Sequence, residues 1–313
     1  MKLIIQIPCF NEEDNISKVL DKLPKSIKAI DEIEIVVLDD NSTDKTIEIA
    51  KNYNVKIIKA KQHIGLSGIF NKGIEYAIEN NADILVNIDG DNQYKPNEIE
   101  KLIQPIINND ADIVIGARPI NKIKTFSPVK KLLQKLGSLI VKIISQIDIK
   151  DAASGFRAYN KDAIIKTIIY NDYTYTIESI IQAKSKNLTI KNIDIEVNEQ
   201  NNRKSKLVKN NFSYIIKQGI NLIRFFIIYS PVKFFGIISF VLFSFATIIG
   251  VRFLYFFFNN GGKGHVQSLI LCAIIFILSF IIANIAILSD ILSINRKVSE
   301  NIQEKLRQNK KCL

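Results

Sequence analysis

The chain has 313 residues, a formal net charge of +11 and 47% hydrophobic residues. That length holds one domain of ordinary size and an appendage. High basicity and high hydrophobicity conflict in a freely soluble protein but agree in one resting on an anionic membrane surface, and the basic clusters lie beside membrane-like runs, which argues against nucleic-acid binding.

Cys9, Cys272 and Cys312 offer neither an even count nor metal-ligand spacing. They argue against a disulfide framework or zinc site and for a reducing compartment. Met1 and Lys2 lead straight into a strand-like run ending at Pro8, which is not how a signal peptide begins.

Residues 1–118 alternate short apolar runs with amphipathic stretches. Runs 3–7, 33–38, 55–58, 84–88 and 113–115 read as strands, and spacing such as Ile16, Val19, Leu20 and Leu23 reads as helix. This alternation predicts an α/β fold with right-handed crossovers and a mainly parallel sheet covered on both faces. Ligands of such sheets bind beyond the carboxyl ends of the strands. The first strand is followed by Pro8, Phe10, Asn11, Glu12 and Glu13, and the second ends in Asp39 and Asp40, with Ser42, Thr43 and Asp44 behind. The fourth runs into Asp89-Gly90-Asp91-Asn92-Gln93, and the fifth into Arg118.

Singly, each group has a plain structural reading: acids favouring a helix dipole, an N-cap at Ser42 or Thr43, a surface arginine. Their joint placement on one sheet edge is what those readings leave unexplained. An Asp-x-Asp pair at a strand end aims oxygens at one point, as a hard divalent cation requires. Alone, so short a motif equally describes a solvated acidic turn.

Within 126–147, Val129, Leu132, Leu133, Leu136, Ile140, Ile143, Ile144 and Ile147 repeat at three and four, with Lys130, Lys131, Lys135 and Lys142 off that stripe. This predicts an amphipathic helix lying in a bilayer interface; a core-facing helix is the alternative. A globular pattern resumes over 154–196 and closes in a strand-like run at 189–196. Arg203, Lys204, Lys206 and Lys209 then form a basic cluster suited to anionic lipid or a phosphate acceptor. Residues 232–258 and 266–292 are almost wholly apolar. At ~1.5 Å rise per residue, each is long enough to cross ~30 Å of hydrocarbon. The polar turn between them makes a hairpin. Arg296, Lys297, Lys305, Arg307, Lys310 and Lys311 follow the second run, whereas the turn holds Lys263 and His265. Positive charge collects on the cytoplasmic side, so both termini and the N-terminal domain are expected there.

The ordered set Pro8-x-Phe10-Asn11-Glu12, Asp39-Asp40-x-Ser42-x-Asp44, Asp89-x-Asp91-x-Gln93 and Gly116-x-Arg118 resembles the family 2 glycosyltransferases, which have the GT-A nucleotide-sugar fold. The segment Asp151-Ala152-Ala153-Ser154-Gly155-Phe156-Arg157 is similar to a motif of the dolichyl-phosphate mannose synthase branch, as are Glu178 and Ser205-Lys206-Leu207. The resemblance covers residues 1 to about 210. Two positions depart from it: Asn41 replaces a common glycine, and Gln200 stands where the family has an arginine, with Arg203 three residues on.

The resemblance implies a cytoplasmic GT-A domain over 1–210, a juxtamembrane amphipathic helix over 211–231, a transmembrane hairpin over 232–292 and a basic tail over 293–313. It implies inverting transfer of a sugar from a nucleotide donor, of GDP-mannose or UDP-glucose type, to dolichyl or polyprenyl phosphate. Catalytic residues would be Asp89, Asp91 and Glu178. Donor contacts would come from Pro8, Phe10, Asn11, Glu12, Asp39, Asp40, Asp89, Gly90 and Asp91. Mg²⁺ or Mn²⁺ would sit on Asp89, Asp91 and Gln93. Arg118, Arg157, Gln200, Arg203, Ser205 and Lys206 would hold the acceptor phosphate. The expected partners are nucleotide sugar, lipid phosphate, the bilayer and a second copy through the membrane helices. A processive polysaccharide synthase is disfavoured because the chain has no tryptophan for that family's Gln-x-x-Arg-Trp motif. Transfer to another membrane lipid or glycan, or sugar-nucleotide binding without catalysis, are the remaining alternatives.

Overall fold

The computed structural model describes residues 1–120, 128–170, 174–198, 219–220, 223–224, 226–261 and 264–310. They divide into two compact units, one of residues 1–211 with 302–313 and one of residues 212–301.

The first unit is built on a sheet of seven strands among the described residues: β1 (Lys2–Cys9), β2 (Glu32–Asp39), β3 (Lys56–Lys59), β4 (Ile84–Asn87), β5 (Ile113–Ala117), β6 (Arg157–Asn160) and β7 (Ile190–Asp194). Their spatial order is β3-β2-β1-β4-β6-β5-β7. β1 lies between β2 and β4 and pairs in parallel with both. Its run of Leu and Ile is fully buried, as expected of a strand covered on both faces. β6 runs antiparallel to both of its neighbours, β4 and β5.

The sequence pattern omitted β6, because four residues beginning with Arg157 show no apolar run. Its reversal matters to the site. A parallel strand there would start at the far edge, whereas β6 starts beside the carboxyl end of β4, with Asn87 opposite Arg157. The segment 151–156 is thereby delivered to the edge that carries Asp89.

Helices α1 (Ile16–Leu20), α2 (Thr46–Ala50), α3 (Gly65–Glu79), α4 (Ile99–Ile107), α5 (Pro128–Ser145), α6 (Lys161–Lys166) and α7 (Tyr175–Ser185) complete the unit. Ile16, Val19, Leu102 and Ile103 pack on one sheet face with Leu3, Ile5, Ile7 and Val86. Each such side chain contributes about 1.5–3 kcal/mol on full burial. α3 comes so near the sheet that a Cβ on Gly73 would fall 1.8 Å from Gln6 Oε1.

α5 departs from a core-facing helix. Ser138, Val141 and Ser145 are buried, while Leu132, Leu136, Leu139 and Ile143 are 67, 49, 51 and 64% exposed. Among the described members of the predicted stripe, Leu132, Leu136 and Ile143 point outward and Ile140 is half-buried, so the buried face is the opposite one. Leu133 and Ile144 lie outside the described side chains.

In the second unit, α8 (Pro231–Asn260) ends at Gly261, whose φ of +67° closes the helix with an N–H to Phe257 O. That left-handed turn suits glycine. α9 (Val266–Lys310) then runs as one helix through the predicted span and on through most of the predicted tail. Among the described residues, these two are the helices long and apolar enough to cross a membrane. Small residues join them: the Ser239 and Ser279 hydroxyls each donate to the other's carbonyl at 3.0 Å, and Cys272 Sγ donates to Ala246 O at 3.2 Å. Close approach through small side chains is how helices associate in lipid. Most of the predicted 211–231 helix lies outside the described residues.

Candidate active site

The crevice is assembled from strand ends. Beyond β1, Asn11 takes a φ of +56°. Its backbone N–H donates to Ser42 Oγ at 2.9 Å and its side-chain oxygen accepts from Thr43 N at 2.8 Å. Glu12 N donates to Thr46 Oγ1 at 2.7 Å. The loops after β1 and β2 are thus one stitched rim. Within it Asp39 is fully buried and accepts from Ser42 N on both oxygens. Asp40 accepts from Ile64 N (2.7 Å) and Gly65 N (3.0 Å) at the start of α3 and pairs with His63 Nδ1 at 2.8 Å. Asp40, expected to contact the donor, has its carboxylate on the first amides of α3.

His63 escaped the sequence reading. It packs against the exposed Phe10 ring with centroids 4.4 Å apart and the planes tilted by 37°, which places an aromatic pair on the rim. Its position just past β3, at the same edge as the other strand ends, was the available signal.

The end of β4 is fixed from below. Buried Asn87 accepts from Gln6 Nε2 at 2.8 Å and donates to Gly155 O (2.8 Å) and Tyr175 Oη (2.9 Å). Asp91 Oδ1 accepts from Gln93 N at 2.9 Å across Asn92, whose φ is +58°. A Cβ on Gly90 would fall 2.6 Å from Cys9 Sγ, and one on Gly155 would fall 2.8 Å from both Asp89 carboxylate oxygens. Asp89 therefore lies directly against the 151–157 segment. Tyr94 Oη accepts from Gly155 N at 3.0 Å, and Ser154 Oγ donates to Gly116 O at 2.6 Å.

The electrostatics reflect this crowding. Desolvation raises the Asp89 carboxyl above its ordinary value and Asp91 raises it further; Arg118, a hydrogen bond from Asn87 and Arg157 pull it back. Burial pushes the Cys9 thiol well up, and Glu12, Asp39, Asp89 and Asp91 all add to the shift, so four carboxylates surround that point. Two acids that disfavour each other's charge are a natural cation seat. Among the described residues no group of three or more His, Cys, Asp and Glu is placed to hold an ion. The expected donors include the Asp89/Asp91 pair, and two carboxylates suit a hard divalent cation that completes its shell with substrate phosphates and water.

Arg118 donates bidentately to Asp151, Nε to Oδ2 at 2.6 Å and Nη2 to Oδ1 at 3.0 Å, and both side chains are nearly buried. Arg157 corrects an expectation. Placed by resemblance on the acceptor phosphate, it is fully buried and donates to Ala152 O, Ser154 O, Thr176 O and Ser179 Oγ at 2.7–2.9 Å. It ties the 151–157 segment to α7 and acts on Asp89 through its charge. Glu178 is buried in the first turn of α7 and accepts from Tyr170 N at 3.3 Å. Gln200, Arg203, Ser205 and Lys206 lie outside the described residues.

Residues 4–168 match the family described as Glycosyl transferase family 2. The chain belongs to that family. It is a glycosyltransferase with a GT-A fold. A UDP-N-acetylglucosamine–dolichyl-phosphate N-acetylglucosaminyltransferase of Methanococcus voltae is 33% identical over 213 residues, 61% of this chain and 83% of that one. A dolichol-phosphate mannosyltransferase of Pyrococcus furiosus is 34% identical over 172 residues, 52% of this chain and 47% of that one. Glucosyl-3-phosphoglycerate synthase of Mycobacterium tuberculosis, solved with Mn²⁺, UDP-glucose and glycerol 3-phosphate, shares the fold at a TM-score of 0.55 with 17% identity, over 71% of this glycosyltransferase and 79% of that chain.

Proposed function

We propose that this glycosyltransferase moves a sugar from a nucleoside-diphosphate donor to a polyprenyl or dolichyl phosphate at a membrane. The observation that carries the reading is α5. Its Ser138 Oγ accepts from Ala152 N at 3.1 Å, next to the Arg118–Asp151 pair, while Leu132, Leu136 and Leu139 face outward. An element bonded to the crevice therefore offers an apolar surface, and Lys131, Lys135 and Lys142 accompany it with no acidic residue on the helix. That combination suits an anionic bilayer. The two membrane-length helices and the dolichyl-phosphate relatives support the same acceptor.

Asp89 and Asp91 would hold the divalent cation, with Gln93 beside them in the turn. Bound there, the cation supplies charge stabilisation for the departing diphosphate. Pro8, Phe10, Asn11, Glu12 and Gly90 line the donor side. The acceptor is a phosphate monoester, already largely dianionic near neutral pH because its second pKa is about 6. It attacks directly, with inversion at the anomeric carbon, and needs no strong base. Glu178, held by the Tyr170 amide, then serves to orient the acceptor. Arg203 and Lys206 are the proposed phosphate contacts. The basic residues after the second span support a cytoplasmic crevice, since positive charge collects on that side.

The test is transfer by the enzyme in sealed, cytoplasm-side-out vesicles. GDP-mannose, UDP-glucose and UDP-N-acetylglucosamine are supplied outside, with polyprenyl phosphate or diacylglycerol in the membrane. One donor is expected to give a lipid-phosphate sugar by mass spectrometry, and Asp91→Ala to abolish it while the protein still folds. Transfer to diacylglycerol alone, or full activity of Asp91→Ala, sinks the reading.

A further inference from the structure

We propose that Arg307, near the end of α9, is a positioning residue that sets Glu178 through the backbone before α7; the inference rests on the transfer reaction proposed above. The turns of α9 from Ile302 onward belong to the first unit. There Arg307 Nη1 donates to Ile165 O (3.2 Å) and to Thr167 O (2.5 Å). Between them, Lys166 O accepts from Lys186 Nζ at 2.6 Å, and that ammonium lies 3.6 Å from Glu304. A helix end leaves its last carbonyls without intrahelical partners, and cations are favoured there both as donors and by the helix dipole. Three successive carbonyls at the end of α6 are thus closed by Arg307, or by a lysine that Glu304 pairs.

The strap that leaves this cap, residues 168–170, is bonded at every step. Ile168 N donates to Gln182 Oε1 at 3.1 Å, and the same amide donates back to Ile168 O. Asn71 Nδ2 donates to Ile169 O at 2.8 Å. Tyr170 N donates to Glu178 Oε1. The far end of this strap therefore grips the carboxylate proposed to orient the acceptor. Gln182, one turn along α7 from Glu178, grips its middle. Loosening the α6 cap lets the Tyr170 amide drift from Glu178 without disturbing Asp89, which lies against Asn87 and Gly155, or Asp91, which accepts from Gln93 N.

The test compares the full-length enzyme in lipid nanodiscs as wild type, Arg307→Ala, Arg307→Lys, Glu178→Gln and the Arg307→Ala/Glu178→Gln double variant. Arg307→Ala is expected to lower kcat about tenfold with donor KM unchanged, and to speed hydrogen exchange at residues 168–170. Arg307→Lys, able to reach one carbonyl but not both, is expected to recover part of the loss. In the Glu178→Gln background, removing Arg307 is expected to cost less than about twofold, since residues acting as one unit are not additive. A purely structural clasp would instead lower the melting midpoint and multiply with Glu178→Gln; that result, or unchanged exchange at 168–170, overturns the proposal. If the wild type fails to transfer to polyprenyl phosphate, the functional reading fails in that arm. The exchange comparison then decides by itself whether Arg307 holds the strap.

Discussion

Gly155 shows how tightly the crevice is specified at the level of single atoms. The space a Cβ would take is occupied by both oxygens of Asp89 and by Tyr175 Oη at 3.0 Å. Its carbonyl and amide are also engaged, by Asn87 and Tyr94. The Asp89 carboxylate can swing away from an added methyl more readily than the backbone can move. Gly155→Ala is therefore expected to fold, with its melting midpoint within a few degrees of wild type, and to lose at least about tenfold in turnover. A purified variant with normal turnover would show that Asp89 need not sit where it does. Gly90 approaches Cys9 Sγ comparably, but the burden there falls on a core thiol, so the loss would be of stability as much as of activity.

Among elements, β6 holds the unit together at the point where the parallel pattern breaks. At the start of β5, Asp112 accepts from Thr189 N and Oγ1 at 2.7 Å and from Asn160 Nδ2 at 2.8 Å, so one carboxylate pins the ends of β5, β6 and β7. Desolvation pushes this carboxyl up, but those hydrogen bonds outweigh it and its pKa lies below the ordinary 3.8. A depressed folded value contributes stability above the unfolded pKa, and that stability is lost as pH falls through the folded one. Asp112→Asn is accordingly expected to melt roughly 2–4 °C below wild type near neutrality. The gap should close as both are acidified below about pH 3.8, in melting curves run as a pH series. A gap independent of pH would assign the loss to packing.

Five of the seven strands were legible because each carries a short, mainly apolar run, as in Ile35, Val36, Val37 and Leu38. β7 was legible as the strand-like run that closes the globular pattern at 189–196. β6 was not, because its burial of Arg157 and Tyr159 depends on partners distant in sequence. The same gap hid the role of Arg157. A motif places a cationic side chain near a phosphate, but burial and four neutral acceptors decide that it organises backbone instead. The acids at the strand ends were legible as a set, since topology alone brings them to one edge. The capping role of Asp40 was not legible, because a carboxylate at a strand end shows no helix to cap until α3 is seen to start at Gly65.

For the whole molecule, the question is how a polar crevice meets a greasy acceptor. α5 gives the first unit an apolar surface of its own, attached by Ser138 to the backbone beside Asp151. If that surface seats in lipid, acceptor delivery depends on it even though α8 and α9 are themselves long and apolar enough to hold the chain at a membrane. Leu136 and Leu139 are about half exposed, so replacing them removes little core packing. The double change Leu136→Asp and Leu139→Asp is expected to leave the enzyme in the membrane fraction. Transfer to polyprenyl phosphate embedded in anionic vesicles should fall by about tenfold, equivalent to ~1.4 kcal/mol of lost interaction. Transfer to a short, water-soluble prenyl phosphate in detergent should fall much less. Equal losses with both acceptors would mean that the leucine face acts on the fold of the crevice and not on access to lipid. A loss that disappears when the vesicles carry no anionic lipid would assign the contact to the lysines beside the leucines, because surface charge acts only on a charged membrane.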